Sequence, residues 1–478
     1  MIDKSIRQRT IKAVLWNTVE KFLVKGSSFI ISIVLARILS PTDYGLIGML
    51  AFFITLSTVF IESGFAKALI QKQNCSDIDY STAFYTNIGI ALFIYVILFF
   101  AAPYVAEFYN EPLLCELLRI LSINIVVGSF NVVQRAKLMA QMDFKSLAKI
   151  NFMGTFAGGA IGILMAYTDW GVWSLVGQTI TSTLIMLLLF PYYSKWKPVW
   201  RFSYDSFRKL FGFGSKLLIT GTVAAVVNNI STIAIGKAYK SDQLGYYTRA
   251  TQFSEIIAIT VNDILGTVTF PVLSQLQNER ERMVAVYRKS LYYTALVIFP
   301  IMILMALLAY PLVIVLLTEK WLPCVLLLQI LCLARMFTPL SAINMNVLNA
   351  IGRPDLFMRI DLCKIPIILI VLAITIPISV TAIVIGSLIT TIICFFINAY
   401  YPGRLFGYGA WEQIKDYKKI FLAVLIMSVL VIIVGYIFEN IWLHLFIGGL
   451  LGTVGYIVSC FLLKVITYQE IKVILRKK

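Results

Sequence analysis

Histidine is nearly missing from this chain: one residue, His444, in 478. That excludes zinc sites built on imidazole and triads that pass a proton through histidine. Acids are scarce too, 24 Asp and Glu against 41 Lys and Arg, for a formal net charge of +17. The seven cysteines include no C-x-x-C pair and lie mostly inside apolar runs, so they read as small core residues rather than disulfide or metal partners. No P-loop, HExxH or GxSxG motif is present. No long polar stretch could fold outside the apolar runs to bind ATP or present paired catalytic carboxylates. Catalytic residues, metal and cofactor are therefore all read as none, and the chain is not read as an enzyme.

What is abundant is apolar. Hydrophobic residues make up 59% and charged ones only 14%, with a mean hydropathy of +0.86. A soluble fold of this size has no place to hide that much apolar surface, so the excess faces lipid. Cutting the chain into runs of about 20 residues gives about fourteen spans, from Lys12–Leu39 to Ile441–Ile466. The weakest cuts fall at "TIPIS" and "ENIW". The first run is too long for a removable signal and contains Glu20, Lys21 and Lys25, so it is expected to remain as the first membrane helix.

Connections alternate between basic stretches, such as those around Lys197 and Lys289, and short ones poor in Lys and Arg, such as "SPTDY" and "TDWG". The positive-inside rule puts the basic set, and with it both termini, in the cytoplasm. The +17 charge is then orientation and attraction to lipid headgroups. Nucleic acid is not an expected partner, because no compact basic domain exists to hold it.

The chain also repeats itself. "LARILSPTDYGLIGML" matches "AIGKAYKSDQLGYYTRA", with Arg37 and Lys237, and Gly45 and Gly245, each 200 positions apart. "LLRIL" matches "LLQIL", and "LMAQMDFKSLAKI" matches "LNAIGRPDLFMRI", each at an offset of 210 (117 to 327, 138 to 348). This predicts an all-α polytopic membrane protein with two six-helix halves, residues 1–203 and 204–403, followed by two further helices and a basic tail in 404–478. Six spans per half is even, so the repeat is parallel and the halves enclose a V-shaped cleft able to rock. Gly154, Gly158 and Gly162, and Gly448 with Gly452, are spaced for close helix packing.

Ionisable groups in hydrocarbon are costly and normally face a bundle interior or water. The first run carries a stripe of Asn17, Lys21, Lys25, Ser28 and Ser32. The tenth carries Arg335, Thr338, Asn346 and Asn349 on one face. Lys216 and Arg119 add positive charge. Negative charge comes from Glu62 in the second run and Glu255 and Asp263 in the eighth. One reading is a hydrophilic cavity for an anionic cargo, bound by Lys25, Arg335, Lys216, Arg119, Asn346 and Asn349, with Glu62, Glu255 or Asp263 coupling transport to an ion. The other is internal ion pairing that only fixes helix register, with Lys25 or Lys216 holding the carboxylates and Arg335 paired with an acidic neighbour.

With "LARILSPTDYGLIGM", "FPVLSQLQ" (Phe270–Gln277) and "LNAIGRPDLFMRI" in view, the chain resembles, over nearly its whole length, the polysaccharide transporter family: Wzx-type flippases of the multidrug/oligosaccharidyl-lipid/polysaccharide exporter superfamily. The resemblance implies transfer of undecaprenyl-diphosphate-linked oligosaccharides across a bacterial plasma (inner) membrane, for O-antigen, capsule or exopolysaccharide. It implies as partners the lipid-linked substrate, membrane lipids, H+ or Na+ as coupling ion, and a polymerase or other pathway membrane proteins. A drug/cation antiporter of the same superfamily is the alternative; the extra terminal pair and the deep basic residues favour the flippase. A membrane-embedded polymerase or glycosyltransferase of the same pathway would need a long catalytic outer loop, which the chain lacks.

Overall fold

A computed structural model describes residues 4–62, 65–71, 75–277 and 279–465. The side chains of Asn17, Lys21, Glu62 and Lys216, and the basic tail from residue 466, lie outside what it describes. Among the described residues there are helices and no strands. In chain order they are α1 (Lys4–Ile38), α2 (Pro41–Glu62), α3 (Phe65–Gln71), α4 (Asp77–Tyr109), α5 (Leu113–Ala140), α6 (Phe144–Tyr167), α7 (Trp173–Ser194), α8 (Tyr204–Ala238) and α9 (Ser241–Gln275). Then follow α10 (Arg280–Leu307), α11 (Ala309–Leu317), α12 (Cys324–Arg335), α13 (Thr338–Ala350), α14 (Pro354–Thr375), α15 (Val380–Phe406), α16 (Ala410–Asp416), α17 (Lys418–Ile437) and α18 (Ile441–Leu462).

Local chemistry sets the ends. Ser76 and Asp79 form a reciprocal capping box at the start of α4, and Asp143, Ser203, Ser379 and Asn440 cap α6, α8, α15 and α18. The weak cuts fall between α14 and α15 and between α17 and α18. Eleven of the described helical stretches are long and apolar enough to cross a membrane, α12 and α13 together forming one. α1, α9 and α14 are also long, at 35, 35 and 22 residues, but are not among the eleven. α1 holds Lys25, α9 holds Glu255 and Asp263, and α14 holds Asp355, Arg359, Asp361 and Lys364. Apolarity alone therefore supports eleven spans and not the expected fourteen.

Two expected runs are divided by proline. Its ring would strike the carbonyl four residues back and it has no N–H to give. Pro311 ends α10 at Leu307, and Pro339 ends α12 at Arg335; in each case a new helix begins within three residues. The one-face grouping of Arg335 with Asn346 and Asn349 assumed a continuous helix. The break at Met336–Phe337 removes that assumption.

The chain forms two compact units, Met1–Gly245 and Tyr246–Lys478. In the first, α6 and α7 approach to backbone contact: a Cβ on Gly158 would lie 2.5 Å from the Gln178 carbonyl oxygen, and one on Gly154 3.0 Å from that of Ser182. The repeated corner meets its own copy here. A Cβ on Gly45 would lie 1.7 Å from the Ser241 carbonyl oxygen, and one on Gly245 1.9 Å from that of Pro41. Positions 41 and 241 stand in the same 200-residue relation, so a single contact is made twice, as across a two-fold axis. Lys237, the counterpart of Arg37, donates to the Phe108 carbonyl at 2.5 Å and lies over the Phe108 ring, tying α8 to α4.

In the second unit, a knot of buried polar groups fastens α16 to α10 and α13. Tyr287 donates to Asn344 Oδ1 at 2.5 Å, and Gln413 Nε2 reaches both Asn344 Oδ1 (3.1 Å) and the Tyr287 oxygen (3.3 Å). Beside it, Arg288 donates twice to Asp416, both at 2.6 Å, and Tyr408 donates to the same carboxylate at 2.7 Å. α18 is fixed to α10 by Tyr456, which donates to the Leu296 carbonyl. Gly452 packs on Val431 of α17.

Candidate functional site

The break after Arg335 leaves that residue as the last of α12, at a kink in an otherwise apolar span. Its Nη2 lies 2.5 Å from Glu255 Oε1 on α9, with the side chains 29% and 36% exposed. The pair is thus half-buried: shielded enough for charge to matter, open enough for a ligand to reach it. Arg335 Nε is buried and has no hydrogen-bond partner. A guanidinium presents a planar fork suited to two oxygens of a carboxylate or phosphate, and Glu255 takes only part of it.

The other expected residues divide between the units. Asp263 lies on α9, eight positions beyond Glu255, and is half-buried; Asn346 and Asn349, half-buried, are on α13. In the first unit, Lys25 is half-buried on α1, with Ser28 and Ser32 of its stripe. Arg119 is committed to α4. Its Nε donates to the Phe99 carbonyl at 3.3 Å and its guanidinium sits 4.3 Å from the Phe99 ring centre. Of the expected set, the structure brings Arg335 and Glu255 into direct contact. Glu62 and Lys216 cannot be placed, since their side chains lie outside the described residues. No group of His, Cys, Asp and Glu among the described residues is arranged to hold a metal ion.

Two polar residues escaped the sequence reading. Arg249 on α9 is only 2% exposed, donates to Gln252 at 2.5 Å, and lies 5.7 Å from the centre of the Trp321 ring. Its signal was present: it stands one turn before Gln252 and nearly two before Glu255, extending the polar face of α9. Asn151 on α6 donates to Glu20 on α1 at 2.6 Å.

The fold and this half-buried pair can be set against known proteins. A family model described as "Polysaccharide biosynthesis protein" matches residues 34–326, more than half of the chain. The chain belongs to this family. It is 24% identical to the lipopolysaccharide biosynthesis protein WzxC of Escherichia coli (strain K12), over 75% of this chain and 74% of that one. It is 26% identical to the succinoglycan biosynthesis transport protein ExoT of Rhizobium meliloti (strain 1021), over 64% and 62%. Its fold is similar to that of the lipid II flippase MurJ in an inward closed conformation, with a TM-score of 0.74 at 17% identity, covering 93% of this chain and 98% of that one. One of these relatives is thus named as a transport protein, and the solved structure that shares the fold is named as a flippase.

Proposed function

We propose that this polysaccharide biosynthesis protein is a flippase that moves an undecaprenyl-diphosphate-linked oligosaccharide from the cytoplasmic to the outer leaflet of a bacterial plasma membrane. It does so by alternating access, for the assembly of a surface polysaccharide. The observation that carries the reading is the Arg335–Glu255 pair at a proline break, with Arg335 Nε unpartnered. A diphosphate displaces Glu255 from the guanidinium by offering more oxygens in the same fork. The sugar head follows polar walls, to which Lys25, Lys216, Asn346 and Asn349 contribute, with Arg119 towards the outer end. The isoprenoid tail stays in lipid.

The released Glu255 then needs a new counter-charge. A proton or sodium ion supplies it, which couples the cycle to an ion gradient; Asp263 and Glu62 are the other carboxylates proposed for this role. The charged helices α1, α9 and α14 cross the membrane with the eleven apolar stretches, their charges turned to the polar path. Both termini and the basic connections lie in the cytoplasm, because Lys and Arg resist translocation.

The test is reconstitution into vesicles with a defined lipid-linked sugar, reading its exposure on the far leaflet. Transfer by the wild-type protein that collapses in Arg335→Ala at equal incorporation supports the reading. Failure to transfer any diphosphate-linked sugar, with efflux of a cationic drug in its place, would assign the chain to antiport.

A further inference from the structure

The connection between α7 and α8, residues 195–203, is held against the neighbouring helix α4. α7 stops at Ser194, where Lys195 takes the left-handed conformation (φ 49°), and the chain then runs without helix or strand, bending at Trp200, to the cap of α8 at Ser203. It does not hang free. The Val199 N–H donates to Ser81 Oγ at 2.9 Å and the Ser203 N–H to Thr82 Oγ1 at 3.1 Å, both in the first turns of α4. Trp196 is driven into the core beside Tyr80, Phe84 and Leu210.

This pinning fixes what is left outside. Trp200 is 92% exposed and Tyr204 69% exposed, and Phe202 and Phe211 also stand outward. The rings are not scattered: Phe207 stacks on buried Phe65 and on Phe211, and Trp200 lies against Tyr85. Among them are the exposed cations Lys195, Lys197, Arg201, Arg208 and Lys209, with Asp205 the one acid in the stretch 195–211. The stretch follows directly on α7, which is long and apolar enough to cross a bilayer, and the next stretch of that kind begins at Leu218 in α8, so residues 195–211 lie between two membrane-length segments.

We propose that residues 195–211 form a rigid docking surface for acidic phospholipid headgroups. Amphipathic rings seat at headgroup depth, and the fixed cations select anionic lipids over neutral ones. A flexible basic loop would have to be ordered on contact; here hydrogen bonds to α4 and the buried Trp196 have already ordered it. The surface belongs to the first unit, so it gives that unit a fixed hold on one leaflet whatever the protein carries.

The test uses the full chain in vesicles of phosphatidylcholine and phosphatidylglycerol without polyprenyl lipid, with bromine on one lipid or the other. The quenching that disappears in Trp200→Phe is that of Trp200 itself. It should be at least about twofold stronger with brominated phosphatidylglycerol at low ionic strength, and the preference should fade as salt shortens the screening length. Replacing Lys195, Lys197, Arg201, Arg208 and Lys209 together by Gln should abolish the preference at every salt concentration. Equal quenching by both lipids in the wild type at low salt overturns the selectivity. Absence of Trp200-dependent quenching by either lipid overturns the docking itself, and both results need only the wild type and one aromatic exchange.

Discussion

Arg335 keeps a buried donor, Nε, that Glu255 does not occupy, and the residue-scale predictions follow from it. Arg335→Ala removes a charge-assisted pair and should slow flipping roughly 10- to 100-fold at normal abundance. Arg335→Lys keeps the charge but loses the fork, so it should recover activity only in part. Glu255→Gln keeps a hydrogen-bond acceptor without the charge. It should leave transport detectable but indifferent to ionophores, and a response identical to wild type removes Glu255 from coupling. Both members of this pair were legible in the sequence as ionisable groups inside apolar runs. Which acid would meet Arg335 was not, because run positions carry no distance between helices. Arg249 was missed for a related reason. The reading of that run stopped at its acids and did not include this cation, whose partner Trp321 lies some 70 positions away in sequence.

At the scale of elements, the close approaches set the limits. No side chain fits at Gly45 without moving the Ser241 carbonyl, so Gly45→Val should cost at least about 1–3 kcal/mol and lower membrane abundance. Gly89→Ala, where nothing lies within 4 Å, should be neutral in the same assay. The 200-residue repeat was plain in the sequence; that the two corners pack on each other was not, since a repeat fixes likeness and not contact. Proline breaks were only half legible. Pro311 and Pro339 were visible, yet hydropathy averages across them and returned single runs. The same averaging hid α3 and α16, which are too short to register. α16 also brings a pH dependence. Burial disfavours the charge of Asp416, but hydrogen bonds from Arg288 and Tyr408 outweigh it and hold the carboxyl below its ordinary value. The stability gained is complete above the ordinary carboxylate range and is lost as pH falls through the depressed value. Thermal melts across acid pH should show this loss in the wild type and a flatter profile in Asp416→Asn, whose melting point near neutrality should be lower.

For the whole molecule, composition alone led to a helical membrane protein, and both the fold and the family agree. The orientation rests on the basic connections. A reporter fused after Lys197 or Lys289 should read cytoplasm, and one after Thr42 or Asp169 should read outside; consistent reversal would refute the proposed topology. The central claim is that the protein carries a diphosphate-linked sugar through a path in which Arg335 takes the diphosphate. The most direct measurement is far-leaflet exposure of a fluorescent polyprenyl-diphosphate oligosaccharide in vesicles holding equal amounts of wild-type or Arg335→Ala protein. The account predicts rapid exposure with the wild type and, with the variant, a rate at least about tenfold lower. Native-rate exposure by a well-incorporated Arg335→Ala protein would contradict it.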